Sequence, residues 1–96
     1  MKITNKKEAS EYLDIPENEI FDFRIFSNGD WAYEDKDEYC HLFRKINNEW
    51  TELTKDVKAF SIDSHNNGDW DYTDEDYNWY KFNKKNKLVK GYNNLY

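Results

Sequence analysis

Asn28-Gly29-Asp30-Trp31 returns as Asn67-Gly68-Asp69-Trp70, thirty-nine residues further along the chain. The match extends to both sides. Tyr33, Asp35 and Asp37 align with Tyr72, Asp74 and Asp76, while Phe21 and Phe23 align with Phe60 and Ile62. After one slipped position, Tyr39 and His41 align with Tyr77 and Trp79. Self-similarity at a fixed period marks one supersecondary unit built twice.

Each copy reads as a run of hairpins. Phe21, Phe23 and Ile25 alternate with Asp22, Arg24 and Phe26, the two-residue period of a half-buried strand. Asn-Gly then predicts a type I′ turn with the tryptophan packed beneath it. Trp31 and Tyr33 begin the return, 34–38 is an acidic loop, 39–46 a third strand, Asn47-Asn48 a turn and 50–53 a fourth strand. The second copy gives a strand over 57–64, a turn at 66–68, a return from Trp70 and an acidic loop over 73–76. A strand over 77–83, a turn at 84–86 and a last strand over 88–92 complete it. Upstream, 5–13 reads as a helix. Asn5 caps it, Glu8 stands three positions on as in a capping box, and Ile3 is placed to staple against Ala9. Ile15-Pro16 ends it, because the residue before proline is pushed out of the helical region. The expected fold is α+β: a short N-terminal helix followed by an antiparallel β meander of two similar repeats. It is one domain over 1–96, with repeat one at about 20–54 and repeat two at about 57–92.

Composition narrows the function classes. The 96 residues include 4 Trp, 8 Tyr and 6 Phe, so the core rests on rings that each bury roughly 150–250 Å². Such an aromatic load argues against disorder. The 20 acids against 14 bases give a net charge of -6, which favours basic partners and disfavours direct duplex DNA binding. Cys40 is the only cysteine, so no internal disulfide forms, as in a reducing cytosol. No apolar segment approaches the roughly 20 residues of a membrane span, and the first ten residues lack a signal-peptide core. The expectation is a cytoplasmic protein with no membrane partner.

The acids cluster in both copies. Asp69 to Asp76 holds five acids and no base, and 30–38 holds five acids and one lysine. Strand alternation places Asp69, Asp71 and Thr73 on one face and Trp70, Tyr72 and Asp74 on the other. Calcium is excluded by position: an EF-hand counted from Asp69 needs Gly sixth and Glu twelfth, where this chain has Asp74 and Tyr80. Cys40 and His41 are adjacent in a strand and point to opposite faces, so they form no catalytic pair, and His65 has no ligand spacing for zinc. No metal or cofactor is expected. Beyond Tyr77 the chain turns basic, with Lys81, Lys84, Lys85, Lys87 and Lys90 and no acid, a pattern that protects a sheet edge.

Two stretches resemble known families. Lys7-Glu-Ala-Ser-Glu-Tyr-Leu-Asp-Ile-Pro resembles the opening of excisionase-type helix-turn-helix domains, but Glu17, Glu19 and Asp22 follow where a recognition helix is basic. Asn78-Trp-Tyr-Lys-Phe through Lys90-Gly-Tyr resembles the choline-binding repeat, which implies a carbohydrate- or choline-binding module with Trp70 and Trp79 stacking on the ligand. As a type, the short, acidic, aromatic-rich chain is similar to phage or mobile-element inhibitors such as the anti-CRISPR proteins. That resemblance implies a non-enzymatic protein that occludes a basic, nucleic-acid-binding surface of a larger protein, for instance a host defence nuclease. The expected contact rim is Asp30, Trp31, Asp35, Asp37, Asp69, Trp70, Asp71, Asp74 and Asp76. An immunity or structural interaction protein would use the same rim.

Overall fold

The computed structural model describes residues 2–92, the side chains of Lys90 and Tyr92 apart. It opens with helix α1 (Lys6–Leu13). Asn5 caps the helix, its side-chain oxygen accepting from the Glu8 N–H at 2.8 Å. The Glu8 carboxylate closes the return half of the box on Thr4, accepting from its N–H at 2.8 Å and its hydroxyl at 2.6 Å. The helix stops at Asp14, which turns left-handed at φ 58°. A single 3-10 turn (Glu17–Glu19) leads into eight strands. Strands β1 (Ile20–Ile25), β2 (Trp31–Asp35), β3 (Cys40–Ile46) and β4 (Glu49–Glu52) form one antiparallel sheet in chain order. Strands β5 (Ala59–Ser64), β6 (Trp70–Asp74), β7 (Trp79–Phe82) and β8 (Leu88–Tyr92) form a second.

The register shows that the repeat runs without a slip. Tyr33 stands opposite His41 and Trp31 opposite Phe43. Tyr72 stands opposite Tyr80 and Trp70 opposite Phe82. His41 is therefore equivalent to Tyr80, not Trp79, and the aromatic identities that suggested a slip are incidental. A bulge interrupts each first strand at the same place, between Ile20 and Asp22 and between Ala59 and Ser61. The extra residues, Phe21 and Phe60, turn outward and are 60% and 68% exposed. Phe21 thus does not join Phe23 on the core face as the alternation predicts.

The turn chemistry also departs from expectation. In each NGDW turn only the glycine has positive φ (93° at Gly29, 95° at Gly68), whereas a type I′ turn needs two such residues. The Phe26 N–H donates to the Asp30 carbonyl at 2.8 Å and the Gly29 N–H to the Phe26 carbonyl at 2.9 Å. This is the longer hairpin loop in which a left-handed glycine makes a bulge. The left-handed pair falls instead at Asn47 (φ 53°) and Asn48 (φ 66°), between β3 and β4.

Three layers follow from the two faces of the first sheet. One face carries Phe23, Trp31, Tyr33, Phe43 and Trp50 and packs against Ile3, Ala9 and Leu13 of the helical segment. The opposite face carries Ala32, Cys40 and Leu42 and packs against Ile62, Trp70, Tyr72 and Phe82 of the second sheet. The repeats therefore stack front to back, the aromatic face of the second on the small-residue face of the first. The second sheet's own back face has Asp71 where the first has Ala32, and Lys81 where the first has Leu42. None of the described side chains on that face joins either core cluster.

Candidate functional site

Stacking decides what each NGDW turn can do. Asp30 lies on the face that the second sheet covers and is 4% exposed. Its Oδ2 accepts from Arg44 Nε at 2.9 Å and Nη2 at 2.8 Å, and from the Ser64 hydroxyl at 2.7 Å. Arg44 Nη1 donates to the Gly68 carbonyl at 2.7 Å, and Asn28 Nδ2 donates to Ser64 Oγ at 2.9 Å. The Ser27 hydroxyl donates to Asn66 at 2.9 Å. The first turn is bolted onto the second. Asp69, the equivalent of Asp30, faces outward and meets Lys81 at 3.5 Å. Trp31 is 0% and Trp70 1% exposed. Asp30, Trp31 and Trp70 are thus structural residues, withdrawn from the expected rim: each tryptophan's face is covered by the layer before it, and Asp30 by the second sheet. Trp70 is likewise unavailable to stack on a sugar or choline.

The remaining rim residues divide between two ends. Strand β2 separates Asp30 from Asp35 by about five residues of strand, roughly 17 Å at ~3.3 Å per residue. The acidic loops therefore stand at the end of the sheets away from the NGDW turns. Within them Asp35 and Asp74 shape backbone. Asp35 Oδ1 accepts from the N–H of Asp37 at 2.8 Å and of Tyr39 at 3.0 Å. Asp74 Oδ1 accepts from the N–H of Asp76 at 3.0 Å and of Asn78 at 2.9 Å. Glu38 (φ 73°) and Tyr77 (φ 63°) take the left-handed position in each loop. Asn83 builds the same turn between β7 and β8, with Asn86 left-handed at φ 61°. Burial pushes the Asp74 carboxyl up, but the hydrogen bonds from Asn78 and Asp76 prevail and hold it below its ordinary value. Asp71, on the back face, is bound to His65 Nε2 at 2.6 Å.

The first copy adds a histidine clamp. His41 Nε2 meets Asp35 Oδ2 and Nδ1 meets Glu52 Oε2, both at 2.8 Å, and the ring stacks on Tyr33 at 4.6 Å between centroids. Burial alone would lower the imidazole pKa; the bonds to Asp35 and Glu52 outweigh it and raise it. The two carboxylates sit on opposite ring nitrogens, so the three groups share no point. Among the described residues no three His, Cys, Asp or Glu side chains are placed to hold a metal ion. Burial, opposed by the bond to the Ala59 carbonyl and aided by the Glu34, Asp35 and Asp22 charges, pushes the Cys40 thiol up, which makes it a poor nucleophile.

Between the two acidic loops lies a groove of about 340 Å³. Tyr39, Tyr72 and Tyr80 supply its rings, and Asp56, Glu75 and Asp76 its exposed acids. Tyr72 and Tyr80 stack at 5.0 Å between centroids. The Lys58 ammonium stands 4.9 Å from the centroid of the Tyr39 ring. Of the expected rim only Asp74 and Asp76 line this groove, with Asp35 and Asp37 in the neighbouring loop. Tyr39, Asp56, Lys58 and Tyr80 escape the sequence reading because they come from three separate segments, the loop before β3, the β4–β5 connection and β7, that only stacking brings together.

No helix among the described residues is long and apolar enough to cross a membrane. In comparisons with known proteins, no family model, curated protein or solved structure matches the chain.

Proposed function

We propose that the protein is a small binding protein that docks on a basic surface of a larger protein and occludes it, in the manner of a phage-type inhibitor such as an anti-CRISPR protein. The observation that supports this reading is the acidic loop of the second repeat lining a groove whose tyrosines come from both repeats. Aromatic rings provide affinity at such a surface, and carboxylates provide steering and on-rate. A nucleic-acid-binding channel of a host defence nuclease is the class of basic surface this charge suits, because it is lined by Lys and Arg. The role is binding in the cytoplasm, with no chemistry performed on the partner.

The test is a pull-down from a bacterial lysate, washed at low and then high salt, with the partner identified by mass spectrometry. Retention of a basic nucleic-acid enzyme at low salt, in competition with DNA or RNA, is the expected result. Reversing Asp37, Glu38, Glu75 and Asp76 to lysine leaves the turn-forming carboxylates of Asp35 and Asp74 in place and should abolish retention. A fourfold-reversed variant that binds as well as the native protein would overturn the reading.

A further inference from the structure

We infer that the tyrosine groove between the acidic loops is a seat for one arginine side chain of the partner. The partner in this inference rests on the docking reading; the site rests on its own geometry. The groove offers ring faces and carboxylates side by side, with Tyr72 and Tyr80 forming a stacked pair 5.0 Å apart. Asp56, Glu75 and Asp76 make no salt bridge with any described residue. The groove already takes a cation of its own. The Lys58 ammonium rests against Tyr39 at 4.9 Å, again with no carboxylate in ion-pair range among the described residues. An ammonium in that position uses a ring face and leaves the acids unmatched. A guanidinium uses both, since it is planar enough to stack on tyrosine and presents a fork of N–H donors to a carboxylate. A quaternary ammonium would have no N–H to give Glu75 or Asp76. The groove's chemistry thus selects arginine over choline-like cations, with Tyr80, backed by Tyr72, as the stacking surface and Glu75 and Asp76 as the acceptors.

The probe is a blocked pentapeptide, Gly-Gly-Arg-Gly-Gly, titrated into the whole protein and followed by NMR. Its citrulline, lysine and trimethyl-lysine counterparts are run beside it. The expected result is saturable shifts at Tyr72, Tyr80 and residues 75–76 with the arginine peptide, at least tenfold weaker binding with citrulline, and intermediate binding with lysine. Tyr80→Leu should weaken arginine binding about tenfold, with the spectrum's dispersion reporting that the variant is folded. The Glu75→Gln, Asp76→Asn pair removes charge but no turn hydrogen bond, and should do the same. Shifts spread evenly over the acidic surface, equal binding of citrulline, or tighter binding of trimethyl-lysine would each overturn the inference. A Tyr80→Leu protein that still retains its partner in the pull-down overturns the arginine seat while leaving the docking reading intact. Failure of the native protein to retain any partner strikes the docking reading alone.

Discussion

Asp30 and Asp69 occupy the same place in the same four-residue motif, and the fold gives them different work. Asp30 is bound by Arg44 and Ser64 under the second sheet; Asp69 faces outward toward Lys81. Removing one partner of a buried pair strands the other, so Asp30→Ala should cost about 3–5 kcal/mol. Asp69→Ala should cost less than about 1 kcal/mol, as surface pairs do. Urea denaturation of the two variants measures the contrast, and equal losses would contradict the burial argument. The glycines separate in the same way. Alanine at either must adopt positive φ, which costs roughly 1–2 kcal/mol. A Cβ at Gly29 meets nothing within 4 Å, whereas at Gly68 it meets the Lys84 Cβ at 2.7 Å. Gly68→Ala should therefore destabilise more than Gly29→Ala in the same assay. The motif was legible as a turn in the sequence. Which copy would be buried was not, because burial depends on what stacks above it.

Elements were the most legible level. The helix with its asparagine cap and every strand follow from periodicity and turn residues, because both signals are local. What local reasoning misplaced were positions where one residue shifts the phase: the bulges at Phe21 and Phe60, and the aromatic identities that imitate a slip after Asp37. The unit formed by β2, β3 and β4 also carries a pH dependence. His41 has a raised pKa in the fold, so its clamp contributes stability that is fully present below the unfolded value of about 6.5 and is lost as pH rises through the folded value. Asp35 is the reverse case. Burial pushes its carboxyl up, but hydrogen bonds from His41, Tyr39 and Asp37 prevail and lower it. Its contribution is present above the unfolded value of about 3.9 and lost as pH falls through the folded one. The denaturation midpoint should therefore be highest in the mildly acidic window between the two unfolded values and decline toward alkaline pH. His41→Gln should flatten that alkaline decline, and an unchanged profile would show that the clamp does not set it. The Asn47-Asn48 turn gives a second element-level prediction. Both residues are left-handed, so Asn48→Gly should raise stability by a few tenths to about 1 kcal/mol, read from the urea midpoint.

At the scale of the whole molecule, the front-to-back stack makes one surface out of two loops distant in sequence. Docking through that end should fall steeply between 0.05 and 0.5 M salt, roughly as the Debye length contracts below 10 Å. Titration calorimetry against the captured partner measures it, and salt-independent binding would point to an apolar contact elsewhere. The acids of this surface were legible as a charge run. Its tyrosine floor was not, since Tyr39 belongs to the first copy while Tyr72 and Tyr80 belong to the second.

The substitution of Asp71 and Lys81 for Ala32 and Leu42 bears on how this chain could have grown. Front-to-back stacking of like units has no inherent limit, as in a solenoid, and needs a polar terminal unit to stop it. Here the helix closes one end and the charged back face the other, so only the junction between the sheets is extensible. A third copy inserted between the two, with the first copy's Ala and Leu on its back and the second copy's aromatic residues on its front, would meet compatible neighbours on both sides. One appended after β8 would meet a charged wall. An array of such units would therefore lengthen from within and not against the charged face of the second sheet.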